Sequence, residues 1–193
     1  KLEKSLEADS RDPASANDFG KNVIPAMLAA KEKMVAYPFE GYWKDVGTIA
    51  SLWEANMDLL AEKPELNLSD ESWRIYSRHG AEAPQYLGKN AMVSNSSLTA
   101  GCGIYGIVRN SVLGPDVVVE EGALVEDSVL MDGVTVRAGA TVRYSILDSR
   151  VEIGEGATVG TYRINASDGT VVGADVKVPA KEKVPVGAML SEA

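Results

Sequence analysis

The chain has 193 residues, a net charge of −9 and a pI near 4.7. That acidic balance disfavours non-specific binding to nucleic acid or anionic membranes, and no apolar run approaches the ~18 residues of a membrane span. The single cysteine, Cys102, excludes an intrachain disulfide framework and fits a reducing, cytoplasmic compartment.

Leu2 and Leu6, in a charged stretch, predict the end of a helix that Asp12-Pro13 and residues 15–17 break. Asp18 is placed to N-cap a second helix running through Ile24 and Met27 to about Lys33, with Pro25 an awkward interior residue. Residues 37–42 read as a strand or extended piece. Thr48 opens a helix with Ile49, Leu52, Trp53, Asn56 and Leu60 on one face. Residues 64–69 form a linker and residues 71–79 a short connecting stretch. This opening is a poor independent domain. It has few strands, no Gly-rich phosphate loop and a helix face without a partner in the same segment. The expectation is that the chain begins partway through a larger domain whose remainder lies N-terminal to Lys1.

The second half carries a seventeen-residue repeat, opening at Ser111-Val112-Leu113, Ser128-Val129-Leu130 and Ser145-Ile146-Leu147. Apolar pairs follow at fixed offsets: Val117/Val119, Val134/Val136 and Val151/Ile153. Gly-Ala-x-Val comes next, at Gly122-Ala123/Val125, Gly139-Ala140/Val142 and Gly156-Ala157/Val159. A register held over three units signals a repeat architecture. Inward residues recur about every six positions, as in Val119, Val125, Met131 and in Leu147, Ile153, Val159. One coil is then three short strands, one position short of eighteen. Stacked coils bury a column of Val, Ile and Leu, each worth roughly 1.5–3 kcal/mol. A degenerate earlier coil starts near Asn90, with Ser96/Leu98 and Gly101-Cys102-x-Ile104, and residues 105–109 read as an insertion after it. Cys102 there takes an inward place whose siblings are Ala, which makes it a packing residue. Residues 162–169 read as a loop, after which the pattern resumes at Val171-Val172-Gly173, Val176/Val178 and Gly187-Ala188-x-Leu190. The periodicity predicts a parallel β-helix over residues 87–193.

Two strings add specificity: Asp18-Phe19-Gly20-Lys21-Asn22-Val23-Ile24-Pro25 and Gly41-Tyr42-Trp43-Lys44-Asp45-Val46-Gly47-Thr48. With Trp73-Arg74-Ile75-Tyr76 and the coils, they resemble the bacterial glucose-1-phosphate adenylyltransferases, essentially throughout the chain and in the family's order. The resemblance implies a mainly β chain: a left-handed parallel β-helix of hexapeptide repeats, preceded by the C-terminal remnant of an α/β, Rossmann-like nucleotidyltransferase domain. It implies residues 1–62 as that remnant, 63–86 as linker and 87–193 as the β-helix domain. It further implies ATP and glucose 1-phosphate as substrates, ADP-glucose and pyrophosphate as products, a homotetramer, and allosteric control by an anionic metabolite.

Site roles follow from the matching positions. Asp45 is implied as a ligand for Mg2+, together with an aspartate from the missing part; its own chemistry equally suits capping the turn before Thr48. Asp18, Phe19 and Trp43 are implied to line the glucose 1-phosphate pocket, where a carboxylate beside an apolar ring suits a hexose. Asp18 also suits a helix cap, and Phe19 and Trp43 suit core packing. Lys44 stands where the family also uses arginine, and no contact is assigned to it. No catalytic residue is assigned, since the family's Gly-rich loop, catalytic aspartate and sugar-phosphate lysine have no counterpart here. Lys177, Lys181 and Lys183 form a basic run suited to a solvated terminal coil or to an anionic effector.

Three other readings compete, one of them a purely structural interaction module, which suits the isolated chain. Hexapeptide acyltransferases need a histidine base on a coil, and the single histidine, His79, precedes the coils. A non-catalytic regulatory subunit of the same family keeps the β-helix, but retention of Asp18, Phe19, Trp43 and Asp45 argues against it.

Overall fold

The structure, a computed structural model, describes residues 1–68, 70–73 and 82–191. The chain divides into two compact units, Lys1–Gly41 and Tyr42–Ala193.

In the first unit, helix α1 spans Leu2–Ser10 and ends at Arg11, just ahead of the expected break. Asp18 caps the next turn as its place in the sequence predicts, its Oδ1 accepting from the Lys21 N–H at 2.7 Å. That turn, Phe19–Val23, is π-helical and runs straight into helix α2, Ile24–Ala29. Pro25 accounts for the widening. It has no N–H to return to the Lys21 carbonyl, and the wider turn lets Val23 and Ile24 bond five residues back, to Asp18 and Phe19. The helix stops short of Lys33 because Lys31 takes a left-handed φ of 54° and the Glu32 N–H closes on the Met27 carbonyl at 3.1 Å. This is a Schellman ending with Lys where Gly is usual. Residues 37–42 form no strand.

The second unit is a parallel β-helix, with eighteen short strands in three six-stranded sheets among the described residues. One coil gives a strand to each sheet: Val118–Val119, Leu124–Glu126 and Val129–Leu130. The next coil repeats them in register, Val136 on Val119, Val142 on Val125 and Leu147 on Leu130. Inward residues step by six, six and five, from Leu130 to Val136, Val142 and Leu147. The position missing from eighteen therefore falls at one corner, before the third side. This corrects one inward residue: Leu130, not Met131, faces the core, and Met131 packs on a second cluster outside it.

Through the regular coils, from Leu113 to Val159, a second side chain is buried two positions ahead of each inward aliphatic. On the third side it is Ser111, Ser128 and Ser145, all fully buried. Each hydroxyl donates to the carbonyl two residues back, at 2.7 Å. Ser111 and Ser128 also accept the N–H of the serine one coil on, at 3.1 and 3.2 Å. The serine ladder thus supplies backbone partners inside an apolar column. Ser128→Ala leaves the Ser145 N–H unpaired in a buried place, and should cost about 1–3 kcal/mol, read as a lower urea midpoint.

Two expectations about the early coil are corrected. Residues 105–109 are not an insertion, since Ile107–Arg109 is a regular strand paired with Met92–Ser94 and Leu124–Glu126. Inward Ile104 and Val108 stand four apart instead of six, so this coil is two residues short. Gly106 permits the tight corner, because a Cβ there would lie 2.4 Å from the Ala123 carbonyl oxygen and 2.6 Å from that of Glu120. Gly103 pairs with Val118, so the siblings of Cys102 are valines rather than alanines. Its packing role stands: the thiol is buried, donates to the Gly114 carbonyl at 3.2 Å, and has its pKa raised by that burial. The loop expected at residues 162–169 is present. Leu147 pairs with Val172, twenty-five residues on, so this coil holds eight residues beyond seventeen.

Candidate functional site

Helix α3, Ile49–Asp58, begins with a capping box in which Thr48 and Ser51 satisfy each other's backbone N–H groups. Its apolar face, which lacked a partner in the sequence, lies on the coils. Trp53 is buried against Val129, Tyr144 and Ile146. Its Nε1–H donates to the Asp127 carbonyl at 2.7 Å, and its ring meets Tyr144 edge-on at 4.8 Å between centroids. Tyr144 sits at a left-handed corner (φ 41°) that Asn95, Asn110 and Asp127 hold in the preceding coils. Asn and Asp accept that conformation readily; a bulky ring rarely does. Packing under Trp53 and a hydrogen bond from the Tyr144 hydroxyl to the Ala166 carbonyl, at 3.2 Å, hold it there. Arg163, from the eight-residue insertion, lies 4.9 Å over the Trp53 ring and 5.4 Å over Tyr144, and reaches Glu54 at 3.3 Å.

The segment leading into α3 alternates. Tyr42 and Lys44 are half-buried, whereas Trp43 and Asp45 are exposed, Trp43 by 75%. Lys44 bridges Asp58 at 3.0 Å and Glu54 at 3.5 Å, and the Tyr42 hydroxyl donates to Asp58 at 3.0 Å. Hydrogen bonds from Lys44 and then Tyr42 hold the Asp58 carboxyl below its ordinary pKa. A depressed carboxylate contributes stability that is complete above the ordinary value and lost as pH falls through the lower one. By NMR, Asp58 should titrate below 3.8, and Lys44→Met should raise its midpoint.

The implied site residues fall in two pairs. Asp18 and Phe19 are neighbours at the π-turn of the first unit, Asp18 half-buried and Phe19 half exposed. Trp43 and Asp45 flank Lys44 in the second. Asp45 Oδ1 accepts from the Gly47 N–H at 2.9 Å, so Asp45 makes the local turn its chemistry allows. Its other oxygen has no partner among the described residues. Magnesium is usually held by one or two carboxylates with substrate phosphates, and one exposed, half-committed carboxylate fits a single ligand. No group of three or more His, Cys, Asp or Glu among the described residues could hold a metal by itself. Lys177, Lys181 and Lys183 are exposed, Lys177 standing 3.9 Å from Glu152. Residues 74–76 and His79 lie outside the described residues. Among the described residues, no helix is long and apolar enough to cross a membrane.

Sequence reasoning missed Lys44, Glu54, Tyr144 and Arg163 as a connected set. The one available signal was Tyr144, a ring at the repeat position that is Asn110 and Asp127 in the two coils before it.

The fold is that of a parallel β-helix preceded in the chain by short helices. Residues 2–62 match the family model described as nucleotidyl transferase, and residues 83–178 the one described as GlmU-like, C-terminal hexapeptide. In particular, the chain is similar to proteins named glucose-1-phosphate adenylyltransferase from Bacillus mycoides, Bacillus cereus and Bacillus anthracis. It is 56% identical to each over 124 residues, 64% of this chain and 33% of the relative. The resemblance carried by the two strings and the coils agrees with this, over a shorter stretch than the whole chain. The chain spans about a third of the length of the curated relatives it matches.

Proposed function

We propose that this chain is part of a cytoplasmic enzyme that transfers the adenylyl group of ATP to glucose 1-phosphate, giving ADP-glucose and pyrophosphate for glycogen synthesis. The observation that carries this is the 56% identity to relatives named for that activity. Asp45 offers its uncommitted oxygen to Mg2+, alongside a second carboxylate from elsewhere in the enzyme. The ion, when bound, offsets repulsion between two anionic substrates and the charge that develops between them. Asp18 keeps acceptor capacity beyond its bond to the Lys21 N–H. It takes hydroxyl hydrogen bonds from the sugar, while the Phe19 and Trp43 rings supply apolar contact. The β-helix carries the subunit contacts of a homotetramer and receives an anionic effector, for which Lys177, Lys181 and Lys183 offer charge.

The test is pyrophosphate release from ATP, glucose 1-phosphate and magnesium, comparing the full-length protein, its Asp45→Asn variant and this chain alone. The expected result is activity in the first, a sharp loss in the second and none in the third. A folded but inactive full-length protein would favour a regulatory subunit, and ADP-glucose made by this chain alone would overturn its expected inactivity.

A further inference from the structure

We propose that Arg163, in the insertion of the β-helix, is a positioning residue for residues 43–48 and acts on them through Glu54 and Lys44. As a statement about catalysis, it rests on the reading of Asp45 as a metal ligand.

Three observations carry it. The first is the alternation from Tyr42 to Asp45. Holding Tyr42 and Lys44 against α3 leaves Trp43 and Asp45 projecting to solvent. The direction of Asp45 therefore depends on what anchors Lys44. The second is the unbroken run of ion pairs: Arg163 to Glu54 at 3.3 Å, Glu54 to Lys44 at 3.5 Å, and Lys44 to Asp58 at 3.0 Å. Glu54 is shared, with one oxygen toward the coils and the other toward the segment. The third is that Arg163 is itself fixed, lying over the Trp53 and Tyr144 rings. The eight-residue insertion brings a guanidinium to the place where the helix meets the coils. A planar guanidinium can stack and pair at once.

Single exposed ion pairs contribute little, so the effect expected is local and modest. In the full-length protein, amide hydrogen exchange at Gly47 and Thr48, the two N–H groups of residues 43–48 that have hydrogen-bond acceptors among the described residues, should rise about fivefold in Arg163→Gln and in Glu54→Gln. The double variant should add little, because both act through one connection, and Arg163→Lys should restore part of the protection. Exchange in the coils over residues 117–159 should stay unchanged. In the transferase assay the half-saturating magnesium concentration should rise about fivefold with the maximal rate nearly kept.

Unchanged exchange at Gly47 and Thr48 in Arg163→Gln overturns the proposal. So does full additivity of the two variants, or equal loosening of the coils, which marks a merely structural role. If no protein shows transferase activity yet the exchange pattern holds, the positioning stands and the adenylyltransferase reading falls.

Discussion

Trp53→Ala should release helix α3 from the coils at a cost of about 3–5 kcal/mol. The indole is 9% exposed, donates to the Asp127 carbonyl and meets the Tyr144 edge. Truncation removes all of this together and leaves Arg163 without one of its two rings. The coils have a separate core, a column running from Cys102 to Val184 that does not include Trp53. The loss should therefore be local. Near-UV dichroism from the packed rings should collapse while the far-UV β signal persists, and urea unfolding should split into an early step and a late one. Trp53→Phe keeps a ring edge for Tyr144 but no donor for Asp127, and should fall between. A single unshifted transition in Trp53→Ala would show that the helix adds nothing to the unit.

Gly106→Ala is expected to be strongly damaging for a single added methyl, at about 3 kcal/mol or somewhat more. The new Cβ would meet two carbonyl oxygens of the next coil at 2.4 and 2.6 Å. Those oxygens cannot swing aside as a side chain could. The Ala123 carbonyl accepts from the Ile107 N–H at 2.8 Å, so moving it breaks the rung that seats the short corner. Gly139→Ala is the informative control. It has nothing within 4 Å but a φ of 67°, so it carries only the left-handed penalty of about 1–2 kcal/mol. Unfolding midpoints should fall much further for Gly106→Ala, and exchange should open first in strands Met92–Ser94 and Ile107–Arg109. Equal losses at both positions would contradict the crowding argument.

Much of this architecture was legible because a β-helix repeats one local rule. Ser111, Ser128 and Ser145 recur at the repeat spacing because each seats the next, and Thr48 with Ser51 declares a helix start within four residues. Positions that depend on comparing coils of unequal length were not legible. Gly101-Cys102 looks like Gly122-Ala123, which puts Cys102 at the alanine place by sequence alone. Only the pairing of Gly103 with Val118 shows that a corner, not a whole stretch, had changed. A uniform six-residue step places Met131 inward, but the five-residue step falls just there and turns Leu130 to the core instead. For the candidate site, the sequence supplied Asp18 as a cap and Asp45 as a turn residue. It could not supply the bonds from Lys44 to Glu54 and Asp58, or from Arg163 to Glu54, since the last joins residues 109 positions apart.

The seating of α3 also has a mechanical consequence. Coils that touch only their neighbours come apart from the ends inward when pulled, each releasing its strands in turn. Helix α3 lies across Val129 and Ile146, outward residues of two successive middle coils. It acts as a staple between them. Under tension the coil ending at Met189–Leu190, which α3 does not cross, should peel at low force, and the stapled pair should yield last, as a single larger step in a force–extension trace.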